Sequence, residues 1–403
     1  MRRLHDARIL MYSHDTFGLG HLRRCRAIAH ALVDEFKGLQ VLLISGSSIA
    51  GAFDFKARVD FLKIPSVIKL HNGDYTSLDR HIDLRETLAM RRAIIHDTAR
   101  LFAPDLFIVD KEPLGLRCEL EDTLHFLKGR GATLALGLRE VMDAPHLLCS
   151  EWARHDVLRK IEALYDSIWV YGPDDFWNPL TGFELSTPLE ARLTYTGYLR
   201  RHPPTSPPAQ ALPAADYVLV TTGGGGGGGP LMMDVLAALE RTPELPHHWL
   251  LVLGPFMPAE EREHIHARAR ALPRVLVSEF DSHIEHLMVG ARALVAMGGY
   301  NTFCEILSFD KPALLVPRVA PREEQLIRTR RAAELGLVDW LHPDDAADPA
   351  CLAARLRALA TRSPPSQAPR PPQLDGLETI NRLVGDWLDS HPHARRRAGA
   401  GGR

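Results

Sequence analysis

Two segments of this chain, about half its length apart, place glycines directly after a short apolar run that predicts a buried strand. The first is Gly18-Leu19-Gly20-His21, which follows Ile9–Ser13, and the second is Gly298-Gly299, which follows Ala293–Met297. Glycine permits backbone paths that a side chain would block, and a helix that begins after such a turn points its free N–H groups at an anion. The repetition predicts two domains of nucleotide-binding type that face each other across a cleft.

Short apolar runs alternate with amphipathic stretches throughout both halves. The predicted strands of the first half are Ile9–Ser13, Leu39–Ser45, Leu106–Asp110, Thr133–Leu138 and Ser167–Tyr171. Those of the second half are Tyr217–Thr222, Trp249–Leu253, Val275–Ser278, Ala293–Met297 and Ala313–Val316. Helical patterns such as His21–Phe36 and Leu84–Phe102 lie between them. Because alternating strands and helices form parallel sheets covered on both faces, the expected fold class is α/β with two doubly wound, Rossmann-like domains.

Proline-rich stretches suggest where the domains are divided. A chain of 403 residues is longer than one hydrophobic core usually spans. Prolines cluster within residues 201–215, which predicts a linker between an N-terminal, acceptor-binding domain (1–200) and a C-terminal, donor-binding domain (216–390). The last amphipathic segment, Leu377–Leu388, is expected in the C-terminal domain, and residues 391–403 are expected to form a disordered tail.

Composition excludes several classes of protein. The net charge of -2, with acidic and basic residues intermixed, disfavours a nucleic-acid partner. The five cysteines are scattered and form no Cys-x-x-Cys pair, so neither a disulfide framework nor a zinc knuckle is indicated. No apolar run approaches the roughly 20 residues that span a bilayer. We expect a cytoplasmic protein with at most peripheral contact at the inner face of the membrane.

His21 is the candidate general base. Ligands of open parallel sheets bind beyond the carboxyl ends of the strands, so Gly18, Gly20 and His21 are expected to face a ligand. A neutral imidazole, with an ordinary pKa of about 6.5, can remove a hydroxyl proton, and such a base contributes about 100- to 10,000-fold to rate. A phosphate-contacting, positioning or structural role for His21 remains open. The nearby Arg23, Arg24 and Arg26 are expected mainly as a solvated helix face.

The seven consecutive glycines, Gly223–Gly229, follow the strand Tyr217–Thr222 and precede Pro230, a residue type favoured at the start of a helix. Backbone N–H groups of such a loop can bind a diphosphate. The expected contacts are Thr222, Gly223, Gly224, Gly225 and Gly226. A flexible turn without a ligand is the alternative.

The block Gly298–Glu305 predicts a second anion site. A helix is expected to begin near Asn301 and Thr302, and Glu305 lies one turn further, where its carboxylate could accept hydrogen bonds from ribose hydroxyls. Thr302 and Glu305 also have the spacing of a capping box, so both interpretations stay open.

Metal binding is not expected. The pairs His264-x-His266, His283-x-x-His286 and His247-His248 lack the ligand density of a zinc site, and the chain contains no Asp-x-Asp. We therefore predict no cofactor and a metal-independent reaction in which helix N-termini and basic residues offset phosphate charge.

The segment Phe280–Gln325 resembles the donor-binding half of GT-B-type glycosyltransferases, above all the bacterial N-acetylglucosaminyltransferases that complete the lipid-linked peptidoglycan precursor. A related group of predicted bacterial glycosyltransferases has a similar Gly-Gly-Tyr-Asn-Thr-x-x-Glu block followed by Pro317–Gln325. The resemblance covers roughly residues 8–340. Two departures leave the donor sugar open: the glycine loop lacks a polar side chain, and the sugar-contacting pair is Glu-Gln instead of Gln-Gln.

The resemblance implies a role for each part of the second half. The backbone around Phe280 and Ile284 would hold the base, Glu305 the ribose, and Glu324 with Gln325 the sugar. The diphosphate would lie against the glycine loop and the second block. The remaining donor contacts are expected at Gly298, Gly299, Tyr300, Asn301, Thr302 and Arg318.

These observations predict a metal-independent, inverting glycosyltransferase, inversion being implied by the resemblance. The donor would be a nucleotide diphosphate sugar, with a UDP-sugar expected, and the acceptor a glycan, a lipid-linked intermediate or a small molecule. Candidate acceptor contacts follow apolar runs: Asp110, Glu112, Arg139 and Asp143. Gly18–Cys25 is also similar to nucleotide-sugar hydrolases of nonulosonate synthesis, so hydrolysis is the alternative. A non-catalytic nucleotide-sugar-binding protein is the third possible function.

Overall fold

A computed structural model describes most of the chain. The described residues are 6–14, 20–69, 75–77, 83–203, 216–224, 227–245, 247–281, 283–359 and 361–391. The chain divides into two compact units. Residues 1–199 together with 375–403 make up the first unit, and residues 200–374 make up the second unit.

The first unit is built on a parallel sheet. Its strands are β1 (Arg8–Ser13), β2 (Gln40–Ser45), β3 (Val59–Lys63), β4 (Val67–Lys69), β5 (Tyr75–Ser77), β6 (Leu106–Asp110), β7 (Thr133–Arg139), β8 (Ser167–Tyr171) and β9 (Leu193–Tyr195). Its helices up to residue 199 are α1 (Gly20–Glu35), α2 (Leu84–Phe102), α3 (Glu121–Gly129), α4 (Pro145–Ala153), α5 (Val157–Leu164) and α6 (Thr187–Glu190). Seven strands pair in the parallel order β3-β2-β1-β6-β7-β8-β9, and β4 pairs with β5 in an antiparallel ribbon. The strand order reverses between β1 and β6, which makes their carboxyl ends the topological switch point.

Burial on both faces explains why these strands read as nearly continuous apolar runs. Every residue of β6 is buried. Leu10, Phe107 and Leu136 from neighbouring strands belong to one core cluster with Ile95 of α2 and Leu124 of α3. The sheet is therefore a rigid base for the side chains at its edge.

The second unit repeats the architecture. Its strands are β10 (Tyr217–Thr221), β11 (His248–Val252), β12 (Val275–Ser278), β13 (Ala293–Ala296), β14 (Ala313–Leu315) and β15 (Asp339–Trp340). Its helices are α7 (Gly229–Arg241), α8 (Ala259–Ala269), α9 (Ile284–Gly290), α10 (Tyr300–Ser308), α11 (Glu324–Glu334), α12 (Pro343–Ala346) and α13 (Pro349–Leu359). The parallel order β12-β11-β10-β13-β14-β15 reverses between β10 and β13. Both predicted doubly wound sheets are thus confirmed.

The last helix, α14 (Gly376–Ser390), departs from the expected division of the chain. It was expected within the C-terminal domain, 216–390, but it belongs to the first unit. The Gly376 N–H donates to the Tyr198 carbonyl at 3.1 Å, and the Trp387 indole N–H donates to the Thr133 hydroxyl at 2.9 Å. An amphipathic pattern shows that a helix has an apolar face but not which core buries that face. The sequence therefore did not reveal that the chain comes back to the first unit at its last helix.

The other predicted boundaries are only partly described. Most of the expected linker, residues 204–215, and the expected tail from residue 392 lie outside the described residues. Among the helices that the structure describes, none is both long and apolar enough to cross a membrane.

Candidate functional site

The switch point of the first unit brings His21 to Asp110. Ser13, the last residue of β1, pairs in register with Asp110, the last residue of β6, and α1 begins beside them at Gly20. The Nδ1 atom of His21 lies 2.6 Å from Oδ2 of Asp110. Gly18 lies outside the described residues. The imidazole side chain is 17 % exposed, whereas the Asp110 side chain is 1 % exposed.

Arg24 completes this cluster from one turn further along α1. Its Nε and Nη2 atoms donate to the two oxygens of Asp110 at 2.7 and 2.5 Å, and its guanidinium lies 5.9 Å from the centre of the Tyr171 ring. The side chain is 2 % exposed, so the expectation of a solvated arginine face is wrong at this position. A signal was present, since position 24 adjoins the buried stripe of Cys25 and Ile28 on the helix.

Asp110 therefore contacts the imidazole and not an open surface. It was one of the expected acceptor contacts, but its two oxygens accept hydrogen bonds from Arg24 and His21. Burial alone would raise the pKa of Asp110, but Arg24 and His21 together hold that pKa well below its usual value. The carboxylate is ionised at neutral pH and stabilises whatever positive charge develops on the ring.

Burial controls the protonation of His21. It lowers the pKa of the imidazole to about 3, outweighing the hydrogen bond and charge of Asp110, which raise that pKa. Nη2 of Arg24 also lies 3.2 Å from Nδ1, but the shorter contact, 2.6 Å to a carboxylate that can only accept, assigns the proton to Nδ1. Nε2 of the neutral ring then carries the lone pair. The first unit thus presents an imidazole whose second nitrogen can accept a proton.

The other expected acceptor contacts lie at the same edge of the sheet. Arg139 ends β7 and is buried. The carboxylate of Glu112 lies 3.0 Å from Nζ of Lys111. Asp143 is also buried, and its carboxylate accepts from the N–H of Ala144 at 2.9 Å, just before α4 begins. The roles of these residues toward an acceptor stay predictions.

At the switch point of the second unit, the glycine run that begins at Gly223 lies beside the block Gly298–Glu305. A Cβ placed on Gly223 would lie 3.8 Å from the hydroxyl oxygen of Thr302, so the end of β10 adjoins the start of α10. Thr222 is buried and Gly224 follows, while Gly225 and Gly226 lie outside the described residues. The helix α7 then begins at Gly229, with proline in its first turn as expected.

Close packing explains why two of these positions are glycine. A Cβ on Gly228 would lie 2.3 Å from Cβ of Thr222. Gly298 has a φ of +77°, and its Cβ would lie 2.6 Å from the Thr329 hydroxyl. The backbone at both glycines therefore packs directly against threonine side chains, next to the N-termini of α7 and α10.

The capping-box interpretation of the second block is wrong. Helix α10 begins at Tyr300 with Gly299 as its N-cap, and both Thr302 and Glu305 lie inside the helix. Glu305 is 1 % exposed, so its carboxylate would need to turn outward to reach a ribose. Asn301 accepts a hydrogen bond from Nη2 of Arg201 at 2.9 Å.

The residues expected around base and sugar lie near the same edge. Phe280 follows β12, and Ile284 is the first residue of α9. The side-chain oxygen of Gln325 accepts from the Arg318 N–H at 3.0 Å, and a Cβ on Gly299 would lie 3.9 Å from the Gln325 amide nitrogen. Glu324 begins α11 beside it. Gln325 thus presents N–H donors toward Gly299, beside the Tyr300 ring on which the buried Arg328 stacks at 5.6 Å.

Among the described residues, no group of three or more His, Cys, Asp or Glu side chains converges in a way that could hold a metal ion. Metal independence stays a prediction.

Several solved structures share the fold of this chain. No protein-family model matches the chain, and no curated protein matches it. The solved glycosyltransferase of kitacinnamycin is similar at 17% identity over 98% of this chain and 100% of that chain, with a TM-score of 0.62. MurG of Acinetobacter baumannii is similar at 13% identity over 94% and 99%, with a TM-score of 0.60. A UDP-N-acetylglucosamine 2-epimerase is similar at 14% identity over 98% and 97%, with a TM-score of 0.59. The chain therefore has the GT-B fold that these proteins share.

Proposed function

We propose that this protein is a glycosyltransferase that moves a sugar from a nucleotide diphosphate sugar to an acceptor hydroxyl, with His21 as the general base. The observation that carries the proposal is the hydrogen bond between Nδ1 of His21 and the ionised Asp110. It leaves Nε2 able to accept the acceptor's proton. Asp110 then stabilises the imidazolium, which offsets the low proton affinity that burial gives the resting ring.

The second unit supports a diphosphate donor. Two helices, α7 and α10, begin at its switch point, and the free N–H groups and partial positive charge of helix N-termini favour phosphate. The 2-epimerase that shares the fold is named for a UDP-sugar, and we extend that donor class to this chain. The reaction would be metal-independent and inverting, with the acceptor attacking the face of the sugar opposite the departing nucleotide.

The fold alone does not separate transfer from other chemistry of nucleotide sugars, since an epimerase shares it. A panel of UDP-, TDP- and GDP-sugars should therefore be incubated with the protein, with and without cell extract as a source of acceptor. Transfer predicts rapid nucleotide release only with extract. Release without extract would indicate hydrolysis, a changed sugar stereochemistry without release would indicate epimerisation, and binding without either change would indicate a non-catalytic protein.

A further inference from the structure

A second buried charge pair lies near His21. The side chains of Arg91 and Glu119 are fully buried, and Nε and Nη2 of Arg91 donate to the Glu119 carboxylate at 2.7 and 2.6 Å. Nη1 of the same arginine donates to the Pro65 carbonyl at 2.6 Å. Burying two charges is expensive even when they pair, so such an arrangement calls for a role beyond stability.

Tyr12 connects this ion pair to the carboxyl end of β1. Its hydroxyl donates to Glu119 at 2.5 Å and accepts from the Leu116 N–H at 3.3 Å. Burial and the neighbouring Glu119 raise the pKa of Tyr12 well above its usual value, so the hydroxyl remains protonated. Nδ1 of His14 lies 3.5 Å from the same oxygen. Because the Tyr12 proton is directed to Glu119, the oxygen can only accept from His14, and Nδ1 of His14 therefore carries a proton.

The His14 ring in turn packs on His21. The two ring centres are 5.6 Å apart and the ring planes meet at 79°. His14 is 7 % exposed, and burial lowers its pKa to about 4. The charged groups that act on His14 are Glu112, Lys111, Glu119 and Arg91, and the titratable groups that act on His21 are Asp110, Arg24 and His14 itself. Burial outweighs the charges around each ring, so both rings are neutral at pH 7.

We propose that His14 is a positioning residue for His21: Arg91, Glu119 and Tyr12 hold the His14 ring in one orientation, and that ring keeps water away from the His21 imidazole. The proposal rests on the proposed function only where it takes His21 to be the base. Desolvation is the largest influence on the protonation of His21. A dry His21 stays neutral across physiological pH and is always able to accept a proton, whereas a hydrated one would be half protonated near pH 6.5, at about its ordinary pKa.

The test is an NMR titration of ¹⁵N-labelled histidine rings in the full-length, ligand-free protein. The His21 signal is assigned by its loss in His21→Ala. Wild-type His21 should remain neutral between pH 8 and pH 5, whereas in His14→Ala the entry of water should raise its midpoint into that range. The matched control is His30→Ala, because His30 lies on the same helix as His21 and its pKa is also lowered by burial, to about 4. This control should leave the His21 titration unchanged.

Tyr12→Phe provides the second variant if His14→Ala does not fold. It removes only the hydroxyl and retains the Arg91–Glu119 pair, and we expect a smaller upward shift of the His21 midpoint. A His21 ring that stays neutral between pH 8 and pH 5 in every folded variant would overturn the proposal.

Kinetics separate this proposal from the proposed function. If the protein transfers sugar, His14→Ala should lower kcat at acidic pH by about tenfold while the KM for the donor changes little. The acid limb of the plot of kcat against pH should move together with the His21 midpoint measured by NMR. If His21→Ala retains full turnover while the NMR shift is present, His21 is not the base but the arrangement around it stands.

Discussion

Removing the imidazole and removing its carboxylate should have different consequences. In His21→Ala, the buried Arg24–Asp110 pair keeps both of its hydrogen bonds at 2.7 and 2.5 Å. The lost hydrogen bond to the charged Asp110 is worth about 1.5–3 kcal/mol. Part of that loss is offset, because the variant no longer buries an imidazole whose burial is costly enough to lower its pKa. We expect the free energy of unfolding to fall by less than about 2 kcal/mol. Turnover should fall by about 100- to 10,000-fold because proton removal is lost.

In Asp110→Asn the same cluster loses its only described negative charge. The Arg24 guanidinium, 2 % exposed, would lose the carboxylate that accepts two of its hydrogen bonds, and breaking a buried ion pair in this way costs about 3–5 kcal/mol. Both stability and turnover should therefore fall.

Urea denaturation and initial rates of nucleotide release measure the two quantities side by side. Nucleotide affinity, measured by calorimetry with UDP, should be nearly unchanged in His21→Ala. Undiminished turnover in that variant would refute the base assignment. Equal losses of stability in the two variants would refute the reasoning that Asp110 compensates the buried charge of Arg24 in addition to orienting His21.

Three further predictions concern pH, the glycine turn and the donor. Burial lowers the pKa of three histidines, which are His14, His21 and His30. As the pH falls below about 6.5, these histidines take up protons in the unfolded chain before they do so in the folded protein. The stabilisation should therefore be fully present above that pH and decline toward pH 4, as measured by the urea concentration at the unfolding midpoint. A urea midpoint that does not depend on pH would contradict this. Gly298→Ala should cost about 1–3 kcal/mol, because φ is +77° and the new methyl group meets Thr329, whereas Gly51→Ala, with nothing within 4 Å, is the control that should cost less. Thr302→Val should weaken UDP binding about three- to tenfold through loss of one hydrogen bond, measured by calorimetry, and unchanged affinity would remove Thr302 from the donor site.

The sequence by itself determined ten of the thirteen strands in the two parallel sheets, and it did not predict β3, β9 or β15. Apolar runs such as Leu106–Asp110 and Val275–Ser278 have the predicted bounds, because burial on both faces of a parallel sheet leaves a local, continuous apolar signal. Parallel strands end at one edge, so His21 and Gly298 could each be placed beyond the carboxyl ends of strands without coordinates, whereas the strand order that makes those edges switch points came from the structure.

Only the tertiary structure decided which charged groups meet. Arg24 and Asp110 are 86 residues apart, and the Tyr12–Glu119 hydrogen bond spans 107 residues. Neither pairing leaves a periodic signal in the sequence, since any buried carboxylate could have compensated the arginine. The sequence left open, for the same reason, which unit contains α14. An apolar helix face shows that the helix packs on a core, but the path of the whole chain decides which core it is.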